Sequence, residues 1–486
     1  MFSVIKDSRI KDKCQIFTPK EQVSKMLDLA LYTKDLYGKR FLENSCGDGE
    51  ILIQAVVRYI EDCKKRRFSK KKIKLGLEND FTAYEVDNQR VEECKSRLEE
   101  VTKQYKITDV VWNIRCEDYL TSKSDKSYDF IVGNPPYIAY PDLPTDVQKY
   151  AKENFVSCKK GKFDYSYAFI EKSYSELNKN GSLVYIIPSN IFKNVFAANL
   201  RNIIKDDLYS IDDFPSEKIF EKVLVSPAII CIVKNNNTSK LLYRVSGNEK
   251  EIDKVQLKSK WIFENANAST GERIGDYFKV SSSVATLLNE AFILKNGDIK
   301  DNFYEFDNYK IETSLIRKAA SPKNKKYNKS TEYIIFPYFY DDQGKTQHYS
   351  EEEMYTNFPH AMKFLETHKE KLQKRDADSS AKWFEYGRSQ ALQNINQELI
   401  LISSVISDCT EPYMLDVDEV PYSGLYIMPI SNMSLDSLIS ILKSKKFKEY
   451  IKSTGVCVSG TSKRISPKDI ENYIFKGVKK YGKNEI

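Results

Sequence analysis

Asp129-Phe130-Ile131-Val132-Gly133-Asn134-Pro135-Pro136-Tyr137 carries an apolar, buried-type strand straight into an amide, two prolines and an aromatic ring. Proline fixes φ and restricts the residue before it, so Asn134 and Pro135 are both held extended. The Asn134 side-chain oxygen and the Pro135 carbonyl oxygen are thereby pre-aimed as acceptors for the two hydrogens of one exocyclic amine. Tyr137 offers a flat face to the ring that bears it. A rigid turn after a strand is the ordinary alternative, and the flanking sequence bears on the choice.

Upstream, Phe41-Leu42-Glu43-Asn44-Ser45-Cys46-Gly47-Asp48-Gly49 runs from a short strand through a glycine-bearing loop into a helical pattern that begins at Ile51. Glycines let backbone approach a ligand closely, and the helix N-terminus offers unpaired N–H groups to an anion such as a carboxylate. Glu85 and Asp87 end the next strand, where a carboxylate can accept from ribose hydroxyls, and Asp118 ends the one after that. Each acid taken alone reads more readily as a solvated loop charge.

Working outward, helix-period and strand-like segments alternate from about residue 16 to 235, the pattern of an α/β domain with a mainly parallel sheet. Strands are expected at 40–42, 82–86, 110–114, 128–132, 183–187 and 228–233, with helices at 51–60, 89–105 and 167–177. Thr18-Pro19-Lys20-Glu21 reads as a helix start with Thr18 as N-cap. The polar run Asn235-Asn236-Asn237-Thr238-Ser239-Lys240 marks a boundary, giving domains at 1–240 and 241–486. The second domain loses the alternation and reads as mixed α+β, with aromatic-rich strands at 333–340, a mixed stretch at 383–392 and helices within 434–452.

Composition narrows the function classes. The chain has 486 residues, enough for two or three domains. No apolar run approaches the roughly 18–20 residues of a membrane span, and the N-terminus lacks the apolar core of a secretory signal. A cytoplasmic, reducing setting is expected. The nine cysteines form no CxxC pair and the three histidines lie far from them, so no metal site is expected. The net charge of +7 permits an anionic partner without requiring one. The basic run Lys64-Lys65-Arg66-Arg67 with Lys70-Lys71-Lys72 reads as a solvated helix end and loop.

With these segments in hand, the sequence resembles the amino-group DNA methyltransferases that use S-adenosylmethionine, specifically the adenine-N6 enzymes of gamma motif order from restriction-modification systems. The resemblance implies a Rossmann-like methyltransferase domain followed by a DNA target-recognition domain. It implies cofactor contacts from Thr18 in Phe17-Thr18-Pro19, from Glu43, Ser45, Cys46 and Gly47, from Glu85 and Val86, from Asp118 and Tyr119, and from Pro136. The usual proline after the acid of the glycine loop is Asn44 here. Asn134-Pro135-Pro136-Tyr137 matches the catalytic tetrapeptide, which implies Asn134, Pro135 and Tyr137 as catalytic residues and Tyr137 with Phe220 as the pair that stacks on the target base. Phe163-Asp164 and 166–171 resemble the helix that follows, and Asn180-Gly181-Ser182 the family's turn.

Residues 240–486 resemble the recognition region of such enzymes, notably in Ile334-Ile335-Phe336-Pro337-Tyr338, Trp383-Phe384-Glu385-Tyr386-Gly387-Arg388 and the segment 462–469. Arg388, Lys463 and Arg464 are candidate DNA contacts. The implied activity is methyl transfer to an extruded adenine in duplex DNA by a monomer, with a separate restriction endonuclease as a further partner. Cytosine N4, RNA adenine, protein glutamine and a non-catalytic DNA-binding subunit stay open as alternatives.

Overall fold

A computed structural model describes residues 18–123, 127–215, 226–263, 271–327, 331–407, 410–459 and 462–476. Phe17 and Phe220, both named above, lie outside them. The chain divides into two units, Met1–Phe263 and Glu264–Ile486.

The first unit is built on a nine-stranded sheet of β1 (Phe41–Glu43), β2 (Phe81–Glu85), β3 (Ile114–Cys116), β4 (Tyr128–Gly133), β5 (Leu177–Pro188), β6 (Leu208–Asp213), β7 (Pro227–Val233), β8 (Lys240–Val245) and β9 (Asn248–Asp253). Their spatial order is β3-β2-β1-β4-β5-β7-β6-β8-β9. The first five strands pair in parallel, whereas β7 runs antiparallel between β5 and β6. From β1 the chain steps to β2 and β3 on one side and to β4 and β5 on the other. That reversal opens a crevice at the carboxyl ends of β1 and β4, where open α/β sheets take their ligands.

Side-chain alternation explains why this sheet is covered on both faces. Along β5, Leu183, Tyr185 and Ile187 enter one core cluster and Val184 and Ile186 the other, so a continuous apolar run serves two layers at once. The helix Glu50–Lys65 buries Ile51, Leu52, Ala55, Val56, Tyr59, Ile60 and Cys63, a helical stripe that seats it on the second cluster. Asp87 caps the helix Asn88–Gln104 by accepting from Gln89 N–H at 3.0 Å.

The expected α/β architecture is present, with corrections at particular places. Thr18 is not an N-cap: the helix is Lys20–Leu29, its N-cap is Pro19, and the Thr18 hydroxyl bonds elsewhere. The strand read at 110–114 is Ile114–Cys116, because the parallel partners of β2 begin only at Ile114. Lys64 and Lys65 do end a helix, Glu50–Lys65, but the second part of the basic run opens another, since Ser69 caps a helix Lys70–Asp80 by accepting from Lys72 N–H. The boundary at 240/241 falls inside the first unit. β8 pairs in parallel with β6 and β9 closes a hairpin on β8, so the polar run before Lys240 is a turn within the sheet.

The chain up to 263 also completes the core. Arg201, 1% exposed, donates to the carbonyls of Ile191 at 2.6 Å, Asn194 at 2.8 Å and Ser259. Burial draws its pKa down to about 10. Trp261 is likewise buried and stacks on Phe192.

The second unit is mixed α+β, as the loss of alternation suggested. One sheet orders Phe278–Ser282, Leu425–Pro429, Leu399–Ile402 and Tyr413–Leu415, and another Ile293–Leu294, Glu332–Ile335, Ile316–Ala320 and Glu419–Pro421. The aromatic stretch 333–340 is two strands, interrupted where Pro337 lacks an N–H for the ladder. Two helices, Leu435–Lys443 and Lys445–Thr454, are capped by Ser434 and Ser444. Among the described residues no helix is long and apolar enough to cross a membrane.

These contacts set a truncation test. A chain ending at residue 263 is expected to unfold cooperatively. One ending at residue 240 exposes the edge of β6, deletes Trp261 and takes an acceptor from Arg201, with an expected loss of at least about 3–5 kcal/mol. Thermal unfolding and size-exclusion profiles of the two fragments check this.

Candidate active site at the β1–β4 crevice

The two strand ends at the reversal are joined through Asn134. Ser45, just past β1, donates from its hydroxyl to the Asn134 carbonyl at 3.1 Å. The Asn134 side-chain amide donates to Thr18 Oγ1 at 3.2 Å. Its side-chain oxygen lies within reach of the Tyr137 hydroxyl, which also reaches the Ile186 carbonyl at 2.6 Å. The contact to Thr18 turns the Asn134 nitrogen to one side and the oxygen to the other, which an amide otherwise does not decide for itself. Pro135 is buried, while Asn134, Pro136 and Tyr137 are half-buried at the surface of the crevice.

The loop 44–49 is shaped by glycine. Gly47 has φ +52° and Gly49 φ +88°. A Cβ on Gly49 would stand 2.5 Å from Cys94 Sγ, so both backbone hand and packing demand glycine there. The loop is tied down by Cys46 N–H to the Tyr84 carbonyl at 3.0 Å and by Gly49 N–H to the Cys46 carbonyl at 2.8 Å. Arg97 adds ion pairs of 2.7 Å each to Asp48 and Glu50.

Glu85 ends β2 beside this loop. Its Oε2 accepts from Gly47 N–H at 2.9 Å, and its Oε1 from Val86 N–H at 2.8 Å and Asp87 N–H at 3.0 Å. A carboxylate has about four acceptor positions, so one on Oε2 is left toward a hydroxyl. Val86, next to Glu85, is 40% exposed. Asp118 accepts from Leu120 N–H at 2.9 Å and from the Tyr165 hydroxyl, and burial raises its pKa.

Two of the expected cofactor contacts sit in packing positions. Glu43 is 2% exposed, and its Oε2 accepts from Leu52 N–H at 3.1 Å at the start of the helix Glu50–Lys65. Burial holds its carboxyl well above the ordinary range. Tyr119 is 1% exposed, packs against Tyr84 and Phe169, and donates to Glu176 at 2.7 Å. Cys46 is buried too.

Asp164, read from the sequence only as part of the helix that follows, lies near Tyr137. Tyr140 N–H donates to the Phe163 carbonyl and Tyr165 N–H to the Ile138 carbonyl, laying 163–165 along the segment that follows the turn 134–137. Asp164 Oδ1 accepts from Ser166 N–H at 3.0 Å and Ser166 Oγ at 2.6 Å. Burial lifts its pKa to about 6, and its charge lies near enough to Tyr137 to help raise that phenol. The Asp-x-Ser spacing at Asp164-Tyr165-Ser166 signals such a turn, but nothing in it signals Tyr137 as a neighbour.

In the second unit, Arg388 is engaged by Asp376 at 3.1 Å and Asp378 at 3.0 Å. Lys463 lies against Cys457 Sγ at 2.6 Å. Arg464 is exposed at the end of the strand Ser462–Arg464.

The comparisons bear on this crevice directly. Residues 20–220 match the Eco57I restriction-modification methylase family. Both strand ends of the crevice lie inside the matched stretch. The type II restriction enzyme and methyltransferase RM.Eco57I of Escherichia coli is 26% identical over 328 residues, covering 58% of this chain and 33% of that protein. The modification methylase CviBIII of Paramecium bursaria Chlorella virus NC1A is 32% identical over 189 residues, covering 39% of this chain and 41% of its own. The chain spans a third to under a half of the first curated relatives.

Solved structures extend the likeness in fold. The type IIL restriction-modification enzyme MmeI in complex with DNA superposes with a TM-score of 0.57 at 12% identity, covering 93% of this chain and 64% of that one. A DrdV–DNA complex gives 0.57 at 11% identity, covering 88% and 50%. The likeness in architecture thus takes in both units.

Two outcomes test the local geometry. Gly49→Ala is expected to cost at least about 1–2 kcal/mol for the left-handed backbone alone, before the clash with Cys94, as measured by urea unfolding. For Asp164, a folded pKa above the unfolded value near 4 means that protonation favours the folded state. Stability should therefore fall as pH rises from about 4 through about 6. Asp164→Asn should flatten that part of the profile relative to the unsubstituted protein.

Proposed function

We propose that the chain is a site-specific DNA adenine-N6 methyltransferase of gamma motif order that uses S-adenosylmethionine on an adenine extruded from duplex DNA. The observation that carries this reading is the Asn134 amide, oriented by Thr18 at the carboxyl end of β4 with its oxygen turned to the Tyr137 side.

The crevice fits the cofactor. The glycine loop 44–49 lets a ligand approach the backbone closely, the remaining acceptor position of Glu85 suits a ribose hydroxyl, and Val86 with Asp118 suits an adenine face and its amino edge. Ser45 and Pro136 border the same crevice, while Glu43, Cys46 and Tyr119 support it from behind. S-adenosylmethionine supplies, when bound, a methyl group on a positively charged sulfur.

An adenine amine is a weak nucleophile because its lone pair is delocalised into the ring. Asn134 Oδ1 and the Pro135 carbonyl draw its two hydrogens out of the ring plane and stabilise the positive charge that grows on nitrogen. Extrusion of the base costs a few kcal/mol. Stacking on Tyr137, with Phe220 as the proposed second ring, returns roughly 1–3 kcal/mol per ring. The second unit is the proposed DNA-recognition region. Of the three cations named there, Arg464 presents its charge most openly, while Arg388 must leave its aspartates to reach a phosphate. A restriction endonuclease as a separate partner belongs to the same proposal, as does action as a monomer.

The test is transfer of labelled methyl from S-adenosylmethionine to duplex DNA, RNA and protein, followed by nucleoside analysis. N6-methyladenine in DNA is the expected product. Label in cytosine, RNA or protein would replace the substrate assignment. Asn134→Ala is expected to lower turnover on the order of 10²-fold or more while duplex and cofactor binding persist. Near-normal turnover in that variant would overturn the catalytic assignment.

A further inference from the structure

Phe336, within the stretch Ile334-Ile335-Phe336-Pro337-Tyr338, lies at a second site in the Glu264–Ile486 unit. A cavity of about 380 Å³ is lined there by Ser314, Arg317, Phe336, Tyr340, Tyr349 and Asn396 among others. The Arg317 guanidinium carbon lies 4.1 Å from the Phe336 ring centre and 4.9 Å from that of Tyr340. Phe336 is buried, and Tyr340 is anchored by its hydroxyl to the Leu392 carbonyl at 2.7 Å. The guanidinium thus rests on fixed rings.

The other guanidiniums near this part of the unit are committed. Arg375 donates to the carbonyls of Leu372, Thr286, Trp383 and Glu385, and Arg388 holds two aspartates. Among the described residues no carboxylate forms an ion pair with Arg317, whose polar partner within the unit is the Tyr340 hydroxyl. A cation kept half-buried on aromatic faces, without an internal counter-charge, retains donors for an incoming acceptor.

The lining says which acceptor. The rings are covered by the guanidinium itself and serve to hold its fork in one fixed plane, which suits a rigid in-plane pair of acceptors, and the Asn396 amide adds a polar group at the cavity wall. Two acceptors at the spacing of the arginine fork are presented by guanine through O6 and N7. We propose that this cavity reads a base, with Arg317 donating two hydrogen bonds to a guanine of the DNA. The inference rests on the reading of the chain as a DNA-acting enzyme. It differs from that reading in its measurable quantity, which is sequence preference in binding and not methyl transfer.

The experiment is selection of bound sequences from a random duplex library by the full chain and by its Arg317→Lys and Arg317→Ala variants, with methyl transfer scored separately. The unsubstituted chain should enrich a sequence with an obligatory guanine. Both variants should lose that preference at that position alone, discrimination there falling on the order of ten-fold or more. Lysine keeps the charge and most of the stem but not the fork, so it answers the question even if alanine unfolds the unit. An unchanged sequence bound more weakly, with a shallower salt dependence, would mean a phosphate contact and overturn the proposal. So would an unchanged preference in the lysine variant, or no enriched sequence for the unsubstituted chain. Guanine preference lost in the variants, with no methyl transfer by any of the three proteins, would overturn the enzymatic reading and support this one.

Discussion

The reversal of strand order at β1 places two strand ends side by side with no ladder hydrogen bonds beyond them, and the polar groups there need partners from side chains. Ser45 satisfies the Asn134 carbonyl and Thr18 the Asn134 amide nitrogen. The same constraint that stabilises the sheet end therefore orients the group with the most demanding geometry in the crevice. Pro135 and Pro136 contribute by removing both a backbone donor and a rotational freedom, so the turn cannot relax into a further strand residue.

Behind this turn lies a buried polar network. Asn44 donates to Ser173 Oγ at 2.8 Å and to the Tyr185 hydroxyl, Ser173 lies 2.7 Å from Tyr185 and 3.1 Å from Tyr119, and Tyr119 donates to Glu176. Lys172 closes it with a contact to the Tyr119 carbonyl and another, at 2.7 Å, to the Ser122 carbonyl. It links the ends of β1 and β3 to the helix Ser166–Ser175 and to β5. Buried hydrogen bonds in a low-dielectric setting hold their geometry strongly because each lost partner costs about 1–3 kcal/mol. Asn44, in place of the proline that the resemblance implies, is thereby a cross-brace and not a break in the pattern.

Where the sequence could be read and where it could not follows from the range of the forces involved. The strands β1, β2, β4 and β5 were legible because burial writes apolar runs into them, and glycine and proline mark the turns by local sterics, whereas the half-exposed β3 was placed too early and the helix Lys70–Asp80 was missed. The places of Asn134, Ser45, Gly47 and Glu85 at or just past strand ends were legible for the same reason, and their roles belong to the proposal. Thr18 was misread as a helix cap because its true partner, Asn134, is 116 residues away. The end of the first unit was misplaced because Asn235-Asn236-Asn237 looks the same in a connection that passes from β7 over β6 to β8 as in a linker, and only the pairing of β8 with β6 separates them. Glu43 and Tyr119 look like ligand contacts by position, yet their inward rotation depends on the helix start and the aromatic core they meet.

The contact between Tyr137 and Asn134 changes how substrate entry must be counted. In this state the phenol hydroxyl lies at the amide oxygen that a target amine would use, with the Ile186 carbonyl as a second acceptor. On the proposed reading, an arriving amine replaces one donor with another, and Tyr137 keeps a partner at Ile186. The exchange leaves no buried acceptor unsatisfied at either end, so its net cost is that of moving a half-buried ring and not the larger penalty of an orphaned oxygen. The turn is thus held in its working shape before any ligand arrives, because the contact that fills it supplies the same kind of hydrogen bond that the ligand supplies later.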